Sequence, residues 1–348
     1  MPIGPTDLTQ SASHNSVSLV IPLYNEEEVL PLLVSGIESF RAVRTEEIEV
    51  LFIDDGSQDR TAAQVRNLTD GLSGYTLVRF SRNFGHQLAV SAGLDLAKTD
   101  AAIIMDADLQ DPLPVAGQMI DSWKQGYDVV YGIRTQREGS SFLHRWSAKL
   151  FYRFFSRFTD VDAPLDAGDF RLLSRRVLEA YSRFGEQQPY VRGLVAWLGF
   201  NQIGIEYERP ARAAGKSKYP WRRLIRLAFD GIASFSGKPL RYAVRIGLLI
   251  SGLSFAGLIW VLIVKILGDP SVPGWASIIF VGFFFGGLQL FFLGVVGSYV
   301  ARVYEEVKAR PRYIIKEMYG STPDREHLNQ QEVGIENQPG IDNEADTL

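Results

Sequence analysis

Short apolar runs alternate with amphipathic stretches through the first part of the chain. Strands covered on both faces carry apolar side chains at nearly every position, so the runs predict buried strands. Between the runs, apolar residues recur at helical spacing. The predicted strands are 17–22, 49–53, 76–80, 101–105 and 128–131, and the predicted helices begin near 26 and 59 and cover about 87–98 and 113–124. This alternation predicts a doubly wound, mostly parallel α/β sheet. Acidic residues 26–28 are expected in the first turn of the first helix, where they suit its dipole.

Acidic residues follow two of the predicted strands at the point where each strand ends. Asp54 and Asp55 follow the second strand, and Asp106 and Asp108 follow the fourth. Doubly wound sheets bind their ligands beyond the carboxyl ends of the strands. In an extended segment, residues i and i+2 point the same way, so Asp106 and Asp108 can grip a divalent cation that also bridges a diphosphate. A single strand-end carboxylate is as often a helix cap, but the clustering favours a site.

Two long segments without charge, 246–264 and 270–301, follow in the C-terminal part. Each is long enough to cross a hydrocarbon core of about 30 Å, and a buried hairpin is the less common alternative. We predict transmembrane helices at 244–267 and 275–301. The stretch 209–245 is rich in Arg and Lys, so the positive-inside bias places the N-terminal domain and both termini in the cytoplasm of a multi-pass protein of the inner or plasma membrane.

Apolar residues recur at helical spacing just before the first uncharged segment, with arginines off the apolar stripe. The pattern predicts an amphipathic helix in the membrane interface within 219–243. The apolar positions are Trp221, Leu224, Ile225, Ala228, Phe229 and Ile232. The remaining predicted regions are a flexible leader (1–15), the α/β domain (16–218), a basic cytoplasmic segment (302–320) and a disordered acidic tail (321–348).

The composition excludes several classes of protein. The chain has 348 residues, 22% of them charged, and a net charge of -4, which argues against a dedicated nucleic-acid binder. The absence of Cys excludes disulfides, zinc–thiolate sites and a cysteine nucleophile, so a metal here is expected to be a hard ion held by oxygen. Gly215-Lys216-Ser217 looks like the end of a phosphate loop, but Pro210 stands where the first Gly is required.

Six motifs, in this order, resemble the polyprenyl-phosphate glycosyltransferases. These belong to the inverting glycosyltransferases with the GT-A fold, and dolichyl-phosphate mannose synthase is a relative. The pattern resembles in particular the bacterial branch with two C-terminal membrane helices. The motifs are IPLYNEEEVL (21–30), FIDDGSQDRT (52–61), SRNFGHQLAVSAGLDLA (81–97), MDADLQDP (105–112), DAGDFRLLSR (166–175) and RAAGKSKYP (212–220).

The resemblance implies a reaction and its partners. A hexose, with glucose from UDP-glucose as the first expectation, would pass to a polyprenyl phosphate at the cytoplasmic face of the membrane, with inversion and with Mg²⁺ or Mn²⁺ as cofactor. A UDP-aminosugar or GDP-mannose donor stays open, and so does a non-catalytic membrane scaffold. A flippase, a downstream transferase and a homo-oligomer are possible partners. A processive synthase fits less well, because Phe142 stands where the Gln of a Q-x-x-R-W segment is needed.

The resemblance also implies residue roles, and several of them have a simpler alternative. Tyr24 and Ile53 can be packing residues, Glu26 can be a helix start, and Arg212 and Lys218 can attract anionic lipid headgroups. The donor site is implied at Pro22, Tyr24, Glu26, Ile53, Asp55, Asp106, Ala107 and Arg134, the metal site at Asp106, Asp108 and Gln110, and the catalytic groups at Asp169, Arg212 and Lys218.

Asp169 matches a position near the reacting carbon of the sugar, as a general base or as a group that orients the acceptor. A phosphate monoester has a second pKa near ~6, so the acceptor needs little deprotonation at pH 7. Asp169 can instead form a structural ion pair with Arg171 or a neighbour. Two positions depart from the family pattern: His86, where Lys is common, and Ala213, where a larger residue is common.

Overall fold

One sheet of eight strands forms the centre of the part of the chain that the structure describes. The computed structural model describes residues 16–135, 167–208 and 274–320, together with individual positions between 240 and 263. The strands are β1 (Ser16–Leu23), β2 (Glu47–Asp54), β3 (Tyr75–Phe80), β4 (Ala101–Ile104), β5 (Val129–Thr135), β6 (Ala167–Ser174), β7 (Gln202–Glu208) and β8 (Ile315–Gly320). Their order is β7-β5-β6-β4-β1-β2-β3-β8.

The sheet combines a parallel centre with antiparallel additions. Strands β4, β1, β2 and β3 are parallel neighbours, and β7 pairs parallel with β5. Strand β6 lies antiparallel between β4 and β5, and β8 lies antiparallel along β3. The chain leaves β1 for β2 on one side and later returns to β4 on the other, which makes the carboxyl end of β1 a topological switch point.

Helices cover both faces of the sheet and bury an apolar core on each. Helices α1 (Leu30–Val43), α2 (Thr61–Thr69) and α4 (Leu113–Lys124) contribute to the core on one face. The core on the other face includes residues of α3 (His86–Leu96), α5 (Arg175–Tyr181) and α6 (Val191–Trp197). The prediction of a doubly wound α/β sheet is therefore confirmed.

The sequence predicted five strands of this sheet and four of the helices that pack on it, and all nine elements are present. Strands β6, β7 and β8 were not predicted, and three of the seven strand pairs among the described residues are antiparallel. One local prediction is wrong. Helix α1 begins at Leu30, preceded by Val29, so the acidic residues 26–28 lie before its first turn and not in it. Glu26 instead lines a cleft at the carboxyl edge of the parallel strands.

A long apolar helix, α7 (Trp275–Val307), lies between β7 and β8 in the chain. It contains the second predicted transmembrane segment and continues beyond residue 301 to Val307. Within it, Phe284–Val307 is long and apolar enough to cross a membrane, and its most apolar stretch is not buried in the protein. In the region predicted as the first span, the positions that the structure describes between 240 and 263 are helical.

Other predicted regions fall wholly or mostly outside the described residues. These are the leader (1–15), most of the interface helix (219–243) and the acidic tail (321–348). The segment predicted as basic and cytoplasmic (302–320) includes the end of α7 and strand β8.

Helix α3 crosses the sheet closely at Gly93, where a Cβ atom would lie 2.2 Å from Cγ1 of Val20 and 3.3 Å from Cγ1 of Ile53. We expect Gly93→Ala to lower the free energy of unfolding by about 1–3 kcal/mol through overpacking, despite the better helix propensity of Ala. Denaturant unfolding of the detergent-solubilised chain, followed by tryptophan fluorescence, measures the change.

The matched control is Gly36→Ala in helix α1. There the nearest atom to an added Cβ is Cδ1 of Leu113, at 3.4 Å, so the variant should be as stable as wild type or slightly more stable. Equal stability of the Gly93→Ala and Gly36→Ala proteins would contradict the close approach of α3 to the sheet.

Candidate active site

A cleft of about 590 Å³ opens at the carboxyl edge of the parallel strands, beside the switch point. The cleft wall brings together most of the residues that the sequence singled out. These are Pro22, Tyr24, Glu26, Asp55, Asp106, Ala107, Asp108, Arg134 and Asp169.

Three predicted residues are buried and do not line the cleft. Ile53 is fully buried in the core that α3 covers, which agrees with its alternative role in packing. Asp54 is also fully buried and forms an ion pair with Arg79 at 3.1 Å. Gln110 is only 6% exposed, and its backbone N–H donates to Oδ1 of Asp108 at 3.2 Å. Arg212, Lys218 and Ala213 lie outside the described residues.

A tight turn after β4 presents Asp106 and Asp108 to the cleft. The backbone N–H of Asp106 donates to Oδ2 of the buried Asp111 at 3.0 Å, and the Tyr207 hydroxyl donates to Oδ1 of Asp111 at 3.1 Å. Burial raises the pKa of Asp111 to about 6. Leu109 adopts a left-handed conformation, with φ of 59°, which costs roughly 1–2 kcal/mol for a residue with a side chain. The turn is therefore held in a strained form, as is common at functional sites.

Asp169, on β6, is the centre of an ion-pair cluster. Its Oδ1 accepts a hydrogen bond from Nε of Arg192 at 2.6 Å, and its Oδ2 lies 3.3 Å from Nη2 of the same guanidinium. Nε2 of His86 lies 3.5 Å from Oδ2 of Asp169 and 3.9 Å from Oδ1 of Asp106. Although burial acts in the opposite direction, His86 and Arg192 hold the pKa of Asp169 far below its usual range. A carboxylate held in this way is a poor proton acceptor.

The ion pair of Asp169 is formed with Arg192 and not with Arg171, the partner that the sequence suggested by name. Arg171 is almost fully buried, and its Nη2 donates to the carbonyl oxygen of Gly168 at 2.9 Å.

Asp55 fixes a loop that forms one wall of the cleft. The backbone N–H groups of Phe84 and Gly85 donate to its two carboxylate oxygens at 2.6 and 2.9 Å. Burial raises the pKa of Asp55, and these two N–H groups oppose the rise. Asp55, which is predicted to contact the donor, thus also holds the loop that carries Asn83 and His86 into the cleft.

Arg134 brings a positive charge to the cleft, as the resemblance implies. Its Nε donates to the Tyr207 hydroxyl at 3.3 Å. A Cβ atom on Gly168 would lie 2.7 Å from Nη2 of Arg134, so the glycine leaves the room that this guanidinium needs beside Asp169.

Arg192 and Asn83 line the cleft but were not singled out from the sequence. Arg192 lies in the first turn of α6, where the helix dipole disfavours a cation. A cation in that position is only a weak signal of a nearby carboxylate, because the helix dipole disfavours it by about 1 kcal/mol or less. His86 was noted only as a departure from the family pattern, and the structure places it between two cleft carboxylates.

The acidic pair suits a hard divalent cation. Asp106 and Asp108 line the same cleft and offer carboxylate oxygens, and Mg²⁺ commonly uses one or two carboxylates with substrate oxygens completing its shell. Burial raises the pKa of Asp106, so its anionic form gains from a neighbouring cation. Across the described ranges, no group of three or more His, Cys, Asp or Glu side chains forms a complete metal site from protein alone.

Comparison with known proteins gives the family. The profile of glycosyl transferase family 2 matches residues 18–182. An uncharacterized glycosyltransferase, YkcC, from Bacillus subtilis (strain 168) is 43% identical over 307 residues, which cover 88% of this chain and 95% of the relative. Bactoprenol glucosyl transferase of Shigella phage SfII is 38% identical over 307 residues, which cover 88% of this chain and 99% of the relative.

The chain therefore belongs to glycosyl transferase family 2, and the family resemblance of its motifs is confirmed. Among solved structures, glucosyl-3-phosphoglycerate synthase from Mycobacterium tuberculosis, in complex with phosphoglyceric acid, aligns with a TM-score of 0.42 at 18% identity. That alignment covers 63% of this chain and 78% of the synthase.

The turn at Gly56 packs against the loop that Asp55 holds. Gly56 has φ of 71°, and a Cβ atom on it would lie 2.4 Å from the carbonyl carbon of Arg82 and 2.7 Å from the nitrogen of Asn83. We expect Gly56→Ala to displace this loop and to weaken binding of UDP-glucose, the donor that the resemblance implies, by about tenfold or more. Isothermal titration calorimetry with Mn²⁺ present measures the affinity.

Gly71→Ala is the matched control. Gly71 has φ of 74° with nothing within 4 Å of the added Cβ, so both variants carry the same left-handed strain but only Gly56→Ala clashes with the loop. If the two variants lose affinity equally, the contact between Gly56 and the loop does not shape the donor site.

Proposed function

We propose that this protein transfers glucose from UDP-glucose to a polyprenyl phosphate at the cytoplasmic face of a membrane, with inversion at the anomeric carbon. The observation that carries the proposal is the placement of Asp106 and Asp108 in one cleft with the ion-paired Asp169. The extended similarity to bactoprenol glucosyl transferase of Shigella phage SfII supports the same sugar and a polyprenyl acceptor.

The donor would lie along the wall built from β1, β2 and the turn after β4. Tyr24 is 43% exposed, so its ring is open for stacking on a base. The carboxylates of Glu26 and Asp55 can accept hydrogen bonds from N–H groups of the base and from the hydroxyls of the ribose. Asp106 and Asp108 would hold Mg²⁺ or Mn²⁺, and the bound cation would stabilise the negative charge of the departing diphosphate. Arg134 adds a fixed positive charge in the same cleft.

The acceptor reaction needs no proton transfer at neutral pH, since the phosphate monoester is already mostly a dianion. One of its oxygens forms a bond to the anomeric carbon while the bond from that carbon to the diphosphate breaks, and UDP leaves with the electron pair. Arg192 neutralises Asp169, so the incoming dianion does not meet an unpaired negative charge. We therefore assign Asp169 to orienting the acceptor through Arg192, the cation that it holds, and not to general base catalysis.

The membrane brings the acceptor to the cleft. Helix α7 carries apolar side chains exposed along its length, and lipid is the environment that such a surface requires. We propose two transmembrane helices, with the catalytic domain and both termini in the cytoplasm, on the charge distribution of 209–245. Arg212 and Lys218 in that basic stretch would hold the acceptor phosphate.

A donor panel tests the proposal. Purified full-length protein is mixed with polyprenyl phosphate, Mn²⁺ and labelled UDP-glucose, UDP-aminosugars or GDP-mannose, and the lipid extract is analysed by mass spectrometry. We expect a single glucosylated lipid from UDP-glucose alone. A different labelled sugar would correct the donor, a long polymer would indicate a processive synthase, and the absence of product with every donor would indicate a scaffold.

Asp108→Ala should reduce transfer to background, because it removes half of the acidic pair, while the protein still inserts into membranes. The matched control is Glu47→Ala, which removes an exposed carboxylate at the opposite end of the parallel strands and should keep wild-type activity. Both rates are measured as glucosyl lipid formed per minute. Transfer by the Asp108→Ala protein at the rate of the Glu47→Ala control would refute the role of the acidic pair.

A further inference from the structure

The chain returns from the apolar helix to the sheet domain and runs along its edge. Glu306 lies in the last turn of α7, and β8 pairs antiparallel with β3, with Met318 opposite Val78. We call residues 306–320 the C-terminal strap. Pairing with β3 covers an edge that would otherwise be open to other strands. The strap also makes contacts well beyond that edge.

Arg312 carries the strap into the protein interior. Its Nη2 donates to Oδ2 of Asp95 at 2.7 Å, and its Nη1 donates to Oγ of Ser91 at 3.3 Å. The side chains of Arg312 and Asp95 are only 15% and 12% exposed. Burial raises the pKa of Asp95 to about 6, and Arg312 acts against that rise. Both partners of Arg312 lie on α3, the helix that begins at His86 in the cleft.

The strap and Asp55 hold the same loop at different positions. The carbonyl oxygen of Ile314 accepts a hydrogen bond from the backbone N–H of Ser81 at 2.9 Å. Tyr313 stacks on Phe80 with ring centroids 5.1 Å apart. Residues 81–86 therefore run from a strap contact to the cleft, where Asn83 and His86 form part of the wall.

A second loop is held at the point where α7 ends. The backbone N–H of Gln187 donates to Oε1 of Glu306 at 3.0 Å, and its side-chain amide donates to the carbonyl oxygen of Arg310 at 2.9 Å. This loop leads into α6, where the N–H of Val191 donates to Oε1 of Gln87 at 3.2 Å. The next residue is Arg192, the partner of Asp169.

We propose that the C-terminal strap positions the two loops that place His86 and Arg192 against Asp169, and that Arg312 is the positioning residue on which this depends. The inference rests on the proposed function, since a membrane-bound acceptor must meet a sugar held at a fixed place relative to the membrane helix. Misplacement of reacting groups by about 1 Å costs up to ~10²-fold in rate. The strap joins the end of α7 to both loops through direct contacts, so helix and cleft keep one relative position.

Kinetics of the full-length protein in lipid nanodiscs test the proposal. We expect Arg312→Gln to lower kcat by about tenfold or more, with KM for UDP-glucose changed by less than about threefold because Asp55 still ties the loop. Arg312→Lys should recover part of kcat. Gln187→Ala changes a surface loop and spares the buried ion pair. It should also lower kcat, so it tests the proposal even if Arg312→Gln fails to fold.

Arg66→Gln is the matched control. Arg66, on α2, forms an ion pair with Glu317 of β8 at 2.6 Å, and both side chains are more than a third exposed. The other side-chain partners of this pair are Arg79 and Tyr319, and neither belongs to the two loops. Exposed pairs of this kind contribute little, so kcat should stay at the wild-type value.

Hydrogen–deuterium exchange separates this proposal from the proposed function, because it needs no turnover. Arg312→Gln should speed exchange in residues 81–86 and 185–192, whereas Arg66→Gln should leave both segments as in wild type. An inactive wild-type protein with this exchange pattern would count against the proposed reaction and still support the strap. Wild-type exchange in both segments of Arg312→Gln, or a kcat equal to that of Arg66→Gln, would overturn the strap proposal.

Discussion

Repulsion among carboxylates at one edge of the sheet is the constraint on which the site depends. Asp55, Asp106, Asp108 and Asp169 all face the same cleft. Each carboxylate close to the others raises the free energy of the ionised state, and partial burial adds to that cost. The fold offsets the charge in different ways: two backbone N–H groups at Asp55, a guanidinium and an imidazole at Asp169, and Arg134 nearby. The pair Asp106 and Asp108 is the part that a divalent cation would complete.

This distribution of charge separates the roles of the four carboxylates. Asp169 receives the strongest compensation from protein groups, so it stays ionised and weakly basic. Asp106 has a raised pKa from burial and has His86 as its nearest cationic partner, at 3.9 Å. A phosphate dianion approaching the sugar would therefore meet a neutralised Asp169 and a cation-bearing acidic pair. In the proposed arrangement, the apolar helix and the strap that follows it would hold the cleft in one position relative to the lipid phase.

Much of the fold and most of the cleft could be predicted from the sequence. Buried parallel strands have apolar residues at nearly every position, and Asp55, Asp106 and Asp108 directly follow such runs. The rule that ligands bind at the switch point therefore predicted that these three residues lie in one site. Strands β6 and β7 were harder, because polar residues interrupt them: Asp169 and Arg171 on β6, and Glu206 on β7. Strand β8 follows a membrane-type helix, and its partner β3 is remote in sequence, so no local pattern identifies the pairing. Arg192 is also separated from Asp169 along the chain, and the helix that carries it, α6, was not predicted, so no local pattern identifies this ion pair.

The metal dependence of sugar transfer tests the central claim most directly. The wild-type protein, stripped of metal with excess chelator, is assayed for glucosyl lipid while Mn²⁺ is titrated back. Background activity in chelator, restored by Mn²⁺ to a plateau that corresponds to one ion per chain, is the predicted result. Transfer at the full rate in excess chelator would contradict it, because the acidic pair would then have no cation to hold.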